Sequence, residues 1–356
     1  MRAVPRVSQR RTSVPVSGWL AAGSAAAALL LPTPYILEGP GPAIDVLGEH
    51  DGRPVISVEG GAEDSGEGRL DMTTVLVSGP PGGTTTATEL VAALVDPTTD
   101  AVPRELVHPT GVSAEEVGRA NEAAMTGSQD VATVAALRSL GRDVPGELTV
   151  QGLTPDSPAA GVLREGDVVL RAGGEPVQDV EDVRSAVEAA APGPVTVTVR
   201  RDGAETDVAV PVASAPPGSE RPWQIGVLMD ERFEVPVEVD FALEDVGGPS
   251  AGTVFALAVI ERLTPGALTG GAHVAVTGTV TADGRVGAIG GIAQKVRGAA
   301  DAGATAFLAP AENCAELAGR VPEGIDVYAV DTLDTARRAL EELGRGQTPD
   351  GVPPCG

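Results

Sequence analysis

Between Val14 and Leu31 the chain runs 18 residues without a charge, after a leader carrying Arg2, Arg6, Arg10 and Arg11. A helix of that length spans roughly 27 Å, close to the hydrocarbon thickness of a bilayer. Pro32 and Pro34 would end it, because proline removes a backbone donor and clashes with the preceding turn. Basic residues ahead of the run put the N-terminus inside the cell, and a cleaved signal peptide is the competing reading. Beyond a Gly- and Pro-rich stretch from Glu38, which reads as a stalk, β-branched runs at Val55–Val58 and Thr73–Val77 predict strands flanking the acidic Glu59–Gly68 loop. Apolar spacing predicts a helix at Glu89–Leu94 and one or two helices over Ala120–Leu140, the latter with Met125, Val131, Val134, Ala135 and Leu137 supplying an apolar face. Ser113 followed by Glu116 has capping-box form and predicts a short helix start.

From Asp143 the pattern changes. Leu148–Val150, Val168–Leu170, Val195–Arg200 and Asp207–Val212 read as strands, with a helix over Val180–Ala190. Pro216–Pro222 reads as a linker, after which Phe233–Val239 alternates like a strand. Asp245–Pro249 reads as a turn and Thr253–Leu263 as an apolar helix. A second helix follows at Ile292–Ala302, with Ile292, Val296 and Ala299 on its buried side.

The 356 residues leave room for two domains, and a formal charge of −25 disfavours nucleic acid, whose phosphates would be repelled. His50, His108 and His273 lie far apart, and Cys314 and Cys355 fit no metal-ligand spacing, so neither a metal nor a cofactor is expected. The chain holds a single lysine, Lys295, among 25 basic residues. A buried lysine can lose its proton near neutral pH, which arginine cannot, and so can serve as a base for a serine nucleophile. Ser250 lies in Gly247-Gly248-Pro249-Ser250-Ala251-Gly252, just ahead of the apolar helix, whose positive end favours a developing oxyanion. His273 with Asp245 or Asp283 is the alternative base and orienter.

Gly248-Pro249-Ser250-Ala251-Gly252, Val276-Thr277-Gly278-Thr279-Val280, Gly284-Arg285-Val286 and Gly290-Gly291-Ile292 leading to Lys295 together resemble the proteolytic domain of the Lon-type serine-lysine peptidases. The resemblance covers Phe233–Leu340 and, more loosely, the chain before the second module. It implies that Ser250 attacks a peptide carbonyl, that Lys295 takes its proton, and that Thr277 hydrogen-bonds the lysine. Gly247 stands where ATP-dependent members carry Asp, which leaves Asp245 as a substitute or as a turn cap. Ser157-Pro158-Ala159-Ala160-Gly161-Val162-Leu163 with Glu165-Gly166-Asp167-Val168-Val169 resembles a bacterial PDZ domain. Such a fold takes an extended peptide beside a helix, here with Val183 and Val187 facing the groove. A Gly-Leu-Gly-Phe-like carboxylate loop is not evident.

The fold class expected is therefore α+β: a Lon-type proteolytic domain with an inserted PDZ domain, a small β-barrel or sandwich with helices, preceded by one transmembrane helix. The divisions are a basic tail at 1–13, an anchor at 14–35, a stalk at 36–54, a first proteolytic part at 55–142, the PDZ domain at 143–215, a linker at 216–222, the proteolytic core at 223–343 and a tail at 344–356. No Gly-x-x-x-x-Gly-Lys-Ser/Thr exists, since Val296 follows the single lysine, so no ATP-driven unfolding is expected within this chain. The function expected is ATP-independent endopeptidase cleavage of unfolded or extended polypeptides outside the cytoplasm, with the catalytic part held at the cell membrane by the N-terminal helix. The alternative is a non-catalytic PDZ scaffold. The family implies a homo-oligomer, a hexameric ring. Under this topology Cys314 and Cys355 meet an oxidising compartment, and either a disulfide or two free thiols would fit.

Overall fold

The computed structural model describes residues 29–50, 52–62, 68–78, 85–96, 98–107, 113–216, 219, 221–243, 246–264, 266 and 268–356, with Trp19, Ser24 and Ala27. Most of the expected anchor lies outside these residues, and Tyr35, placed at its end, already belongs to a strand. No helix among the described residues is long and apolar enough to cross a membrane.

The first lobe is built on a six-stranded sheet in the order Asp326–Val330, Ala306–Pro310, His273–Val276, Arg69–Ser78, Tyr35–Asp45, Asp100–Pro103. The first four run parallel and the last two pair antiparallel. Successive residues of the His273–Val276 strand face opposite sides, as the pleat requires. Val274 and Val276 pack into the core that holds the helix Gly252–Leu263, while Ala275 packs with Ile292, Ala293 and Val296 of the helix Ile292–Asp301. The two helices therefore lie on opposite faces of the sheet. Gly252–Leu263 is buried along nearly its whole length, between the sheet, the helix Ala114–Ser139 and the helix Leu333–Gly344. That is why its sequence from Val254 to Ile260 is apolar all round rather than along one stripe.

Three stretches depart from the sequence reading. Residues 36–54, read as a stalk, contain all but the first residue of the strand Tyr35–Asp45, which pairs on both sides within the sheet. Gly and Pro lower strand propensity, but here they serve a close approach. The strand shifts register between Pro40 and Ala43, and a Cβ on Gly41 would sit 2.3 Å from Thr74 Oγ1. Ser113 does form a capping box with Glu116, but the helix it starts is a single one of 26 residues, Ala114–Ser139. The Phe233–Val239 strand is absent. Its place is taken by Val227–Phe233 and, after an irregular stretch, Val239–Phe241, which pairs with Ile56–Val58.

The second lobe has its own sheet, in the order Ala204–Val210, Val195–Arg201, Val168–Ala172, Gly146–Leu153, Val227–Phe233, with Glu175–Pro176 added beside Val168–Ala172. Its separate core includes Leu148, Val150, Leu163, Val169, Val183, Val187, Val197 and Val199. The last strand belongs to this lobe because it runs antiparallel along Gly146–Leu153 over its full length. The sheet thus extends past 215 and past the 216–222 linker, which is bracketed by the short pair Ala213–Ser214 and Trp223–Gln224.

Candidate active site

Ser250 is set in the turn just before the helix Gly252–Leu263, with Ala251 as N-cap and no side-chain cap. Two bonds from the long helix hold that turn: Gly248 N–H donates to Asn121 O at 3.0 Å, and Ser128 Oγ donates to Pro249 O at 3.1 Å. A Cβ on Gly252 would come within 3.0 Å of Ser128 Oγ and of Val280, so a larger residue would push the turn away from both neighbours. Gly248, at φ +90, adopts a backbone conformation natural only to glycine.

Lys295 comes from the other face of the sheet, one turn into its helix. The two meet at the carboxyl end of the His273–Val276 strand, where α/β sheets commonly place their sites. Lys295 Nζ lies 2.7 Å from Ser250 Oγ and 3.1 Å from Thr277 Oγ1, and Thr277 Oγ1 donates to Ser250 O at 3.1 Å. Gly278 N–H donates to the same Ser250 carbonyl at 3.0 Å. Lys295 is 3 % exposed, and burial holds its ammonium down from an ordinary 10.5 to about 8. About one lysine in ten is then neutral at pH 7, and each neutral amine offers its lone pair to the serine hydroxyl.

Ser250 and Lys295 open into a cleft of about 410 Å³, lined on one side by Thr73–Val77 and on the other by Val246, Gly247, Ala251 and Gly290. Pairing between Arg69–Ser78 and the His273 strand stops at Met72, so the following residues offer an edge toward the serine. Leu76 and Val77 on that stretch are exposed. Glu38 also lines the cleft; burial, and then neighbouring Asp100, push its pKa up.

The histidine alternative finds a different partner. His273 Nε2 lies 2.6 Å from Oδ2 of the fully buried Asp71, which Arg69 also binds, whereas Asp283 pairs with Arg285 at 3.1 Å. Asp245 lies outside the described residues. Gly247 packs against Asn121 and lines the cleft. Ser128 was missed as a support for the serine turn. The signal available was a serine among the apolar positions of an otherwise readable helix.

In the PDZ-like lobe Val183 and Val187 are buried, and they form the floor of a groove of about 290 Å³ between their helix and the strand Val227–Phe233. The chain's own Ala215, Ser219, Arg221 and Trp223 also line it. Arg221 pairs with Glu181 and, at 3.0 Å, with Glu188 of the groove helix. Glu181 in turn lies 2.6 Å from Arg285 in the catalytic lobe, while the N-cap Asp179 pairs with Arg138 at 3.3 Å. Burial pushes up the pKa of Asp179 and of Glu231, which accepts from Val180 N–H. Gly226, at φ +68, opens the strand that lines the groove. This entry turn was overlooked because it lies at the C-terminal end of the lobe's sequence, far from the Ser157–Leu163 motif.

The fold and the buried lysine beside a serine define a two-lobed chain with a hydrolase-type site and a peptide-binding-type groove. Residues 233–341 match the Lon protease (S16) C-terminal proteolytic domain, and residues 118–212 match the PDZ domain. The chain therefore carries a Lon-type serine peptidase domain together with a PDZ domain. Similar proteins include Lon protease 1 of Sorangium cellulosum (strain So ce56), 36 % identical over 118 residues, which are 32 % of this chain and 14 % of that protein. Lon protease 1 of Bacillus subtilis (strain 168) is 34 % identical over 116 residues, 31 % of this chain and 15 % of the relative. The chain thus spans about a seventh of the length of these relatives. The solved PDZ domain of the SdrC-like protein from Listeria innocua matches at 17 % identity and a TM-score of 0.21, covering 23 % of this chain and 92 % of that one.

Proposed function

We propose that the chain is a Ser-Lys endopeptidase that cuts unfolded or extended polypeptides without ATP. The observation that carries this reading is the 2.7 Å approach of a buried Lys295 amine to Ser250 Oγ. Neutral Lys295 accepts the serine proton as Oγ attacks the peptide carbonyl, forming a tetrahedral intermediate. The ammonium then returns that proton to the leaving amine, and an acyl-enzyme forms. Water, deprotonated by the same amine, releases the acid. Thr277 accepts from the lysine and donates to Ser250 O, which fixes the amine's direction. The open edge from Thr73 onward suits a substrate that adds as an extended strand.

The absence of a phosphate-binding Gly-x-x-x-x-Gly-Lys-Ser/Thr from the sequence supports ATP independence. Cys314 and Cys355 are joined as a disulfide, and this with the uncharged run at 14–31 supports an extracytoplasmic, membrane-held catalytic lobe. The PDZ lobe recruits or gates substrate, a reading supported by Glu181, which touches both the groove rim through Arg221 and the catalytic lobe through Arg285.

Hydrolysis of casein by the full chain without nucleotide tests the proposal. The parent cleaves, while Ser250→Ala and Lys295→Arg do not; Lys295→Arg keeps the charge and removes the base. Cleavage by Lys295→Arg at the parent's rate would sink the dyad.

A further inference from the structure

The lysine helix has a weak beginning. Its N-cap, Gly291, is in the left-handed region at φ 67 and offers no side-chain cap, and a second glycine, Gly290, precedes it in the turn after the strand Val286–Gly287. Such a turn loses much conformational freedom when ordered, so something must hold it. The side chain that does so comes from the 3-10 helix Ala311–Leu317, outside the catalytic motifs. Asn313, 2 % exposed, accepts from Ile289 N–H at 2.9 Å and donates from Nδ2 to Ile289 O at 3.0 Å. Its other amide hydrogen goes to Glu316 Oε1 at 2.8 Å.

Both backbone groups of Ile289 are thus engaged by one side chain, much as a neighbouring strand would engage them. The next residue, Gly290, lines the cleft with Ser250 and Lys295, and Lys295 N–H donates to Gly291 O at 3.0 Å. Behind Asn313 the turn is anchored as well. Cys314 is bonded to Cys355, whose N–H donates to Val327 O at 2.8 Å, and Cys355 shares a core with Ile292, Val296 and Leu317.

We propose that Asn313 is a positioning residue for the Ser250–Lys295 reaction: by clamping Ile289 it fixes the Gly290–Gly291 turn, which keeps the Lys295 amine against Ser250 Oγ and away from water. The assignment rests on the Ser-Lys reading above. Releasing the clamp changes no group that touches substrate, so KM holds while kcat falls. Water admitted to the turn stabilises the ammonium, so the pH at which Lys295 becomes a base moves upward.

The test measures casein-derived quenched-peptide hydrolysis by the full chain between about pH 6 and 10. It compares the parent with Asn313→Ala, Asn313→Asp and the Cys314→Ser/Cys355→Ser pair. For Asn313→Ala, kcat falls about 10- to 100-fold with KM within about twofold, as for other small misplacements of reacting groups. Its acid limb rises by about half a pH unit or more. Asn313→Asp keeps the acceptor for Ile289 N–H but loses the donor to Ile289 O, and falls between. The cysteine pair lowers Tm without moving the acid limb, which separates positioning from support of the fold. Asn313→Ala with a lowered Tm but the parent's kcat and acid limb would overturn the proposal. If Asn313→Ala does not fold, hydrogen exchange on the parent decides instead: the Ile289 amide exchanges slowly if clamped, and exchange at open-loop rates overturns the clamp. Parent-like hydrolysis by Lys295→Arg would instead remove the Ser-Lys reading itself.

Discussion

In the Ser250–Lys295 cleft the two side chains meet inside the fold. Lys295 is 3 % exposed, its neighbours are two hydroxyls, and burial alone depresses its proton affinity. The PDZ groove is arranged differently. Its floor is valine, but its rim is ionic, with Arg221 held by Glu181 and Glu188, and Glu181 shared with Arg285. A desolvated amine is costly to the fold and insensitive to salt, whereas partly exposed ion pairs hold weakly and are screened. The first arrangement holds at any ionic strength; the second loosens as salt rises.

The largest consequence concerns Lys295. Its folded pKa, about 8, lies below the ordinary 10.5, so protonated lysine penalises the folded state. Below about pH 8 both states carry the proton and the penalty, about 3 kcal/mol, is complete; it fades as pH rises from about 8 to 10.5 and is gone above that. Lys295→Met is therefore expected to be inactive yet more stable than the parent at pH 7 by up to about 3 kcal/mol, with the advantage vanishing above about pH 10.5. Denaturant titrations at the two pH values check it. A variant no more stable at pH 7 would mean that the amine is solvated, and the contrast between the clefts would fail.

Thr277→Val keeps the shape and removes the hydroxyl that links Lys295 to the Ser250 carbonyl. The loss of these buried bonds should lower kcat by about 1–3 kcal/mol, or roughly 5- to 150-fold, with little change in KM. Steady-state kinetics on the quenched peptide read this directly. The smallest effect belongs to the PDZ rim. Arg221→Ala should strengthen peptide binding in the groove by about 1 kcal/mol or less, and added salt should do the same for the parent. Isothermal titration with peptides ending in an apolar residue measures both. Weaker binding in Arg221→Ala would make Arg221 a peptide ligand rather than a cover.

Local chemistry made much of the site readable. The Gly-Pro-Ser-Ala-Gly turn, the apolar run behind it and the lone lysine each announce themselves over a few residues, as does Thr277 in its Val-Thr-Gly context. The helix Val180–Ala190 also lies where its spacing put it. Other features were hidden by sequence separation. Ser128 reaches Pro249 across 121 positions, and His273 reaches Asp71 across 202. Asn313 carries no motif; it matters because of the backbone it happens to face. The strand Tyr35–Asp45 was hidden by composition. Its glycines read as flexibility, but Gly41 is the surface against which Gly298 of the lysine helix packs, where a Cβ would come 2.5 Å from Gly41 O.

By itself, then, the sequence determined which groups could do the chemistry and which short elements carry them. Hydrophobic period, turn residues and side-chain type are properties of neighbours along the chain. Tertiary structure alone decided that the serine, in the turn before one helix, and the lysine, on a second helix packed against the opposite face of the sheet, meet at the end of a strand that carries Thr277 to both of them. It also decided that the lysine there is dry enough to be a base, because burial depends on what distant segments place around it, and no local pattern encodes that.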